Sequence, residues 1–234
     1  MTDSEPLSPP AAARPWADWT AADWDARYAS PEHQQGADRM WSGTPNVTLV
    51  AEAEGLPPGR ALDVGCGEGA DAIWLARRGW QVVGADLSRV ALDRAAAAVA
   101  DDPDVAARTS WRQVDVASWT PEPGAADLVT AHFLHEAPTR RATTFRRLAA
   151  AVAPGGTLLV VGHAPADLTT GLRSAEHAEL LFGPAEVVAA LDLDHWVVEV
   201  ATERPRPERQ HERSGAAGGH GTAHDTVVRA RRAA

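Results

Sequence analysis

Short apolar runs alternate along this chain with stretches of helical spacing. The runs lie at Arg60–Gly65, 81–86, 109–114, Asp127–Ala131 and Thr157–Gly162, and each reads as a strand. Between them apolar residues recur every three or four positions, as at Phe145, Leu148 and Val152, which is the spacing of one helix face. Helices are predicted over 70–78, from Ser88 to about Asp101, from Pro138 to the Pro154-Gly155-Gly156 turn, and over 184–191. Two later stretches, His195–Thr202 and His224–Arg231, alternate apolar with polar residues, as the arms of an antiparallel hairpin do. The pattern predicts an α/β architecture.

The flanks follow other patterns. Residues 1–14 are rich in Pro, Ala and Ser, with no apolar period, and predict a disordered tail. The segment 15–55 carries Trp16, Trp19, Trp24, Tyr28 and Trp41. Thr20 or Asp23 can cap a short helix that runs through Tyr28 and stops at Ser30-Pro31. Residues 46–55 predict a second helix with Val47, Val50 and Ala51 inward and Gly55 as its stop. Residues 164–182 show only a possible short helix at 174–182, and a substrate lid is expected there. Arg204–Thr222 reads as a mobile hairpin loop; its His211 and His220 lack the fixed spacing of metal ligands, so no metal is expected. There is no internal repeat.

The chemistry concentrates between Leu62 and Ser88. Leu62-Asp63-Val64-Gly65-Cys66-Gly67-Glu68-Gly69 is followed by a helix and then by Val82-Val83-Gly84-Ala85-Asp86. This is a βαβ unit whose glycines let backbone approach a ligand, and Asp86 stands where it can accept hydrogen bonds from ribose hydroxyls. Two cofactors compete. Gly65-x-Gly67-x-x-Ala70 with Asp86 fits the loose dinucleotide pattern. Against it, Asp63 puts a carboxylate inside the first strand, and the glycines continue to Gly69. A carboxylate there would repel a pyrophosphate and suit S-adenosylmethionine, which is cationic at its head and carries no phosphate.

These residues resemble motif I and the acidic position after it in class I S-adenosylmethionine-dependent methyltransferases. Trp24-Asp25-x-Arg27-Tyr28 followed by Trp41-Ser42-Gly43-x-Pro45-Asn46 is similar to the N-terminal cap of the tellurite-resistance and thiopurine-type group. The resemblance implies one domain over 15–232, with 15–55 as the cap. It implies a three-layer Rossmann-like sheet of seven strands in the order 3-2-1-4-5-7-6, the last strand antiparallel. The cofactor would meet Tyr28, Trp41, Asp63, Gly65, Cys66, Gly67, Gly69, Asp86, Leu87, Ser88, Asp115, Val116, Ala131 and His132. Asp115 is carried over as the holder of the adenine amino group, and the alternative is a loop-capping Asp. Tyr28 and Trp41 would offer aromatic faces to the sulfonium; Trp16, Trp19 and Trp24 read as packing residues. Phe133, His135 and His163 would face the acceptor, at the ends of strands four and five. His135 is the candidate base, while His132 is expected to line the methionine end through its backbone.

Composition narrows the partners. The 234 residues carry a net charge of −10 with no broad basic stretch, which argues against nucleic acid. All 22 basic residues are Arg, which excludes lysine chemistry. The single cysteine, Cys66, reads as a small residue that fits the loop rather than a reactive thiol. No apolar run approaches the roughly 18 residues of a membrane span, and the N-terminus lacks a signal-peptide layout, so the expectation is a cytoplasmic protein with no membrane partner. Oligomeric state is open. The expected activity is methyl transfer to a small molecule through a thiol or chalcogen, a hydroxyl or an amine. The alternatives are a nicotinamide-dependent oxidoreductase and a binding protein without turnover.

Overall fold

A computed structural model describes residues 15–31, 39–169, 175–206 and 222–234. The N-terminal tail, His211 and His220 lie outside them, as do most of the loop 204–222 and part of the lid segment. Seven strands form one sheet: β1 (Arg60–Val64), β2 (Gln81–Asp86), β3 (Thr109–Gln113), β4 (Ala126–His132), β5 (Val152–His163), β6 (Trp196–Pro205) and β7 (His224–Arg232). Their order is β3-β2-β1-β4-β5-β7-β6. The first five run parallel, and β7 runs antiparallel to both its neighbours. The seven-stranded expectation therefore holds in order and direction. No helix among the described residues is long and apolar enough to cross a membrane.

Side chains alternate across β1 because the strand period is two. Leu62 and Val64 join Val129, Ala131, Val160 and helix α6 (Pro138–Ala151) in one core; Ala61 joins Leu128, Leu159 and helix α3 (Ala70–Arg77) in the other. Asp63, in phase with Ala61, therefore points toward the α3 layer. The remaining helices are α1 (Ala21–Ala29), α2 (Val47–Ala53), α4 (Arg89–Ala97), α5 (Pro103–Ala106), α7 (Ala166–Thr169) and α8 (Pro184–Val188). Thr20 and Asp23 close a capping box on α1, and the Ser88 side chain caps α4.

Two local expectations are corrected. Helix α2 buries Thr48, Leu49, Glu52 and Ala53 rather than Val47, Val50 and Ala51. The reason is ionic: Glu52 accepts from Arg229 at 2.9 Å and Arg204 at 2.8 Å, on β7 and β6, which turns its face toward the sheet. At the other end of the sequence pattern, α6 stops at Ala151, and Pro154-Gly155-Gly156 lies inside β5 instead of before it. The pairing shifts there, from Ala126 opposite Val152 to Leu128 opposite Thr157, so the turn residues make an irregularity in the strand.

Candidate functional site

The carboxyl ends of β1, β2 and β4, together with the N-terminal segment, enclose a cavity of about 620 Å³. Its floor is the glycine bend. Gly67 has φ +52°, and a Cβ there would stand 2.9 Å from the Tyr28 hydroxyl, so the bend both needs a left-handed residue and passes close beneath the cap. Gly69, at φ +80°, needs a left-handed residue too, and a Cβ on it would meet Trp111 at 2.6 Å and Ala95 at 2.9 Å. Its missing side chain serves packing between layers.

Asp86 ends β2 at the cavity wall. One carboxylate oxygen accepts from the Gly67 amide at 2.8 Å, the other from the Ser88 amide at 2.9 Å. Burial raises its pKa against the pull of these donors. Burial also pushes the Cys66 thiol well above its ordinary value, with Asp86 and Asp63 adding to the effect, so this cysteine stays a thiol.

Two carboxylates lock the cap down. Glu68, in the glycine bend, accepts from the amides of Met40 at 3.0 Å and Trp41 at 3.1 Å, and pairs with Arg94 at 3.0 Å. Asp25 on α1 accepts from the Ser88 hydroxyl at 2.6 Å and the Val90 amide at 3.1 Å. The cap is thereby tied to the glycine bend and to the start of α4. Trp41 donates its indole N–H to the Tyr28 hydroxyl at 3.1 Å. Tyr28 is buried, and burial beside Asp86 raises its phenol pKa.

Behind the bend lies an acidic cluster. Asp63 is 2 % exposed; one oxygen accepts from Thr130 Oγ1 at 2.9 Å and the other has no partner. Asp71 accepts from the Asn46 amide at 2.6 Å and from His132 Nδ1 at 2.7 Å. A carboxylate only accepts, so the proton sits on His132 Nδ1. Burial works against the charged imidazolium, yet the Asp71 carboxylate outweighs it and the His132 pKa is raised. Burial lifts Asp63 to about 7, helped by Asp71 and opposed by His132. The His132 ring is thus locked to Asp71 at the cavity wall.

The opposite wall is aromatic and basic. His135 stacks on Trp24, with rings 5.4 Å apart and 11° between planes, and meets Trp16 edge-on at 5.1 Å. Phe133 carries φ +51°, a strained conformation for a bulky residue, costing about 1–3 kcal/mol and turning the chain out of β4 toward the cavity. Its ring lies 4.5 Å from that of His163. Arg206 meets Asp225 at 2.7 Å and His163 Nδ1 at 3.2 Å. A guanidinium only donates, so His163 Nδ1 accepts and the proton resides on Nε2.

Comparisons with known proteins agree with this geometry. Residues 61–156 match the family described as a methyltransferase domain. The trans-aconitate 2-methyltransferase of Rhizobium meliloti is 35% identical over 147 residues, which make up 60% of this chain and 53% of that protein. The ribosomal RNA small subunit methyltransferase C of Alcanivorax borkumensis is 34% identical over 133 residues, 53% of this chain and 39% of that protein. The chain thus spans about half the length, or less, of these relatives. A solved structure from work on the conversion of a disulfide bond into a thioacetal group during echinomycin biosynthesis superposes with a TM-score of 0.67 at 22% identity, covering 91% of this chain and 92% of that one.

The fold is that of a class I S-adenosylmethionine-dependent methyltransferase. Within this methyltransferase fold, Tyr28, Trp41, Gly65, Cys66, Gly67, Asp86, Leu87, Val116, His132, Phe133, His135 and His163 all line the cavity. Asp63, Gly69, Ser88, Asp115 and Ala131 do not. Asp63 and Ala131 are buried in the sheet, and Ser88 is buried under α1. Asp115 is exposed, and its carboxylate accepts from the Ala117 amide at 2.9 Å and the Ser118 hydroxyl at 3.1 Å. These local bonds are those of a loop-capping Asp. Sequence reasoning missed Glu68, Asp71, Arg27 and Arg206 as cavity residues. Trp16 and Trp24, expected only to pack, also line it.

Proposed function

We propose that this protein transfers the methyl group of S-adenosylmethionine to a small-molecule acceptor. The observation that carries the reading is the acidic cluster behind the glycine bend, with a buried Asp63 oxygen that no protein donor satisfies. Such a cluster favours a cation nearby and disfavours a diphosphate. The residues fit the cofactor: Asp86 for the ribose hydroxyls, the backbone of Gly65 and Gly67 beneath it, apolar Val114, Val116 and Leu87 for the adenine, and the Tyr28–Trp41 pair beside the sulfonium. When bound, the cofactor supplies an electrophilic methyl on a positively charged sulfur.

The chain's own contribution is alignment and exclusion of water. The cap covers the bend, held by Glu68 and Asp25, and the aromatic wall shields the acceptor side. His135 is the candidate base for an acceptor that arrives protonated, while the proton on His163 Nε2 leaves that ring suited to donate. The acceptor atom is sulfur or a heavier chalcogen, oxygen or nitrogen; a net charge of −10 disfavours nucleic acid. The N-terminal resemblance to the tellurite-resistance and thiopurine-type group favours a soft nucleophile. The same acidic cluster stands against the nicotinamide alternative.

Titration calorimetry with S-adenosylmethionine and with NADH tests the cofactor: binding of the first alone is expected. Formation of S-adenosylhomocysteine with a panel of thiol, hydroxyl and amine acceptors separates an enzyme from a binding protein. With an accepted substrate, His135→Ala is expected to lower turnover about ten-fold or more while nearly keeping cofactor affinity. Unchanged turnover would remove His135 from the base role.

A further inference from the structure

The cavity is polarised. The glycine-bend side carries Asp86, Asp71 and Glu68, with Asp63 buried behind it, whereas the cap and the rim beyond β4 carry Arg27, His135, His163 and Arg206. Among the cations, Arg206 is already neutralised by Asp225. Arg27 is not: it pairs with no carboxylate among the described residues, and its Nε is buried without a hydrogen-bond partner. Its guanidinium lies over the Trp16 ring at 4.9 Å and the Trp19 ring at 5.7 Å. Desolvation lowers its pKa, and no nearby carboxylate offsets that.

The position of Arg27 relates it to the acceptor. Trp16 touches both Arg27 and His135, and His135 follows the end of β4. One aromatic platform therefore carries the unpaired cation and the candidate base. A half-buried arginine on indole faces has lost hydration, and the oxygens of an anion lying against its N–H groups replace it with charge-assisted hydrogen bonds.

We propose that Arg27, held on Trp16 and Trp19, binds an oxyanion group of the methyl acceptor, so that the acceptor is a small molecule bearing a carboxylate or a comparable chalcogen oxyanion. This rests on the methyltransferase reading and adds the substrate class to it. The charge pattern suits the reaction, since a positive donor and a negative acceptor lose opposite charges as the methyl passes between them. The acidic side holds the donor and the basic side the acceptor, so each is drawn to its own wall and repelled from the other's.

Indole fluorescence, with and without S-adenosylhomocysteine, reads the binding of three probes: benzoate, inorganic selenite, and benzamide as the neutral counterpart of benzoate. The native protein is expected to bind at least one anion about ten-fold tighter than benzamide. Preference for benzoate identifies a carboxylate and preference for selenite a chalcogen oxyanion. Arg27→Gln should abolish the preference with S-adenosylhomocysteine affinity kept, and Arg27→Lys should restore part of it. Equal binding of anions and benzamide by the native protein, or an unchanged preference in Arg27→Gln, overturns the proposal. Absence of S-adenosylhomocysteine binding overturns the cofactor reading instead, and the titrations without it still decide whether Arg27 selects an anion.

Discussion

Asp86→Ala is expected to weaken S-adenosylhomocysteine binding by about 100-fold or more and to destabilise the free protein as well. Two losses coincide in this substitution. The ribose hydroxyls lose a charged acceptor, worth about 1.5–3 kcal/mol. The Gly67 and Ser88 amides, which Asp86 accepts from at 2.8 and 2.9 Å, lose that acceptor in a buried corner. Each amide left unsatisfied costs about 1–3 kcal/mol, and in a chain of this size each kcal/mol lowers the melting temperature by about 2–4 °C. Asp86→Asn separates the two effects. Its remaining oxygen keeps one amide satisfied, so stability should fall less, while the charge that a ribose favours is gone. Calorimetry for affinity and thermal denaturation for stability check both halves. An Asp86→Ala protein that melts lower but binds as tightly as the native one would reduce Asp86 to a loop brace.

What was legible in the sequence is what local periodicity encodes. The strands and the bend at Gly65–Gly67 each lie within a few residues, and the acidic end of β2 follows at a fixed interval. The sheet order came with the resemblance, since the motif pattern carries a topology that spacing alone does not. The contacts that assemble the site were not legible, because they join distant residues. Asp71 and His132 are 61 positions apart, and Glu68 meets Met40 across 28. Each is a polar residue in an ordinary helix, strand or loop pattern until the fold brings its partner. Glu52 misled the reading of α2 for the same reason: a glutamate reads as solvent-facing unless Arg204 of β6 and Arg229 of β7, the latter 177 positions later, are known to reach it. Asp115 shows the converse: a position assigned a ligand by resemblance is followed at once by local donors, Ala117 and Ser118, that its carboxylate accepts from.

The carboxylate at position 63 is where fold and function pull in opposite directions. Asp63 is buried between α3 and β4, with a lifted pKa of about 7 against an ordinary 3.8. For an acid raised in this way, the folded form keeps its proton after the unfolded chain has lost it. Stability contributed by the protonated group is therefore present below the unfolded pKa and declines as pH rises to about 7, after which the cost is constant. Asp63→Asn retains an oxygen that can accept from Thr130 and carries no charge, so this decline should vanish. The variant is expected to melt higher than the native protein at pH 8 without cofactor and nearly equally at pH 4. Binding should move the other way. A cation beside the cluster favours ionised Asp63, so native affinity for S-adenosylmethionine should rise through pH 7 while that of Asp63→Asn stays flatter, the two differing by about ten-fold or more at pH 8. Calorimetry at pH 6 and pH 8 on both proteins measures the gap. A gap that fails to widen with pH would mean that the Asp63 charge does not serve the ligand, and the acidic cluster would then be a cost of folding with no functional return.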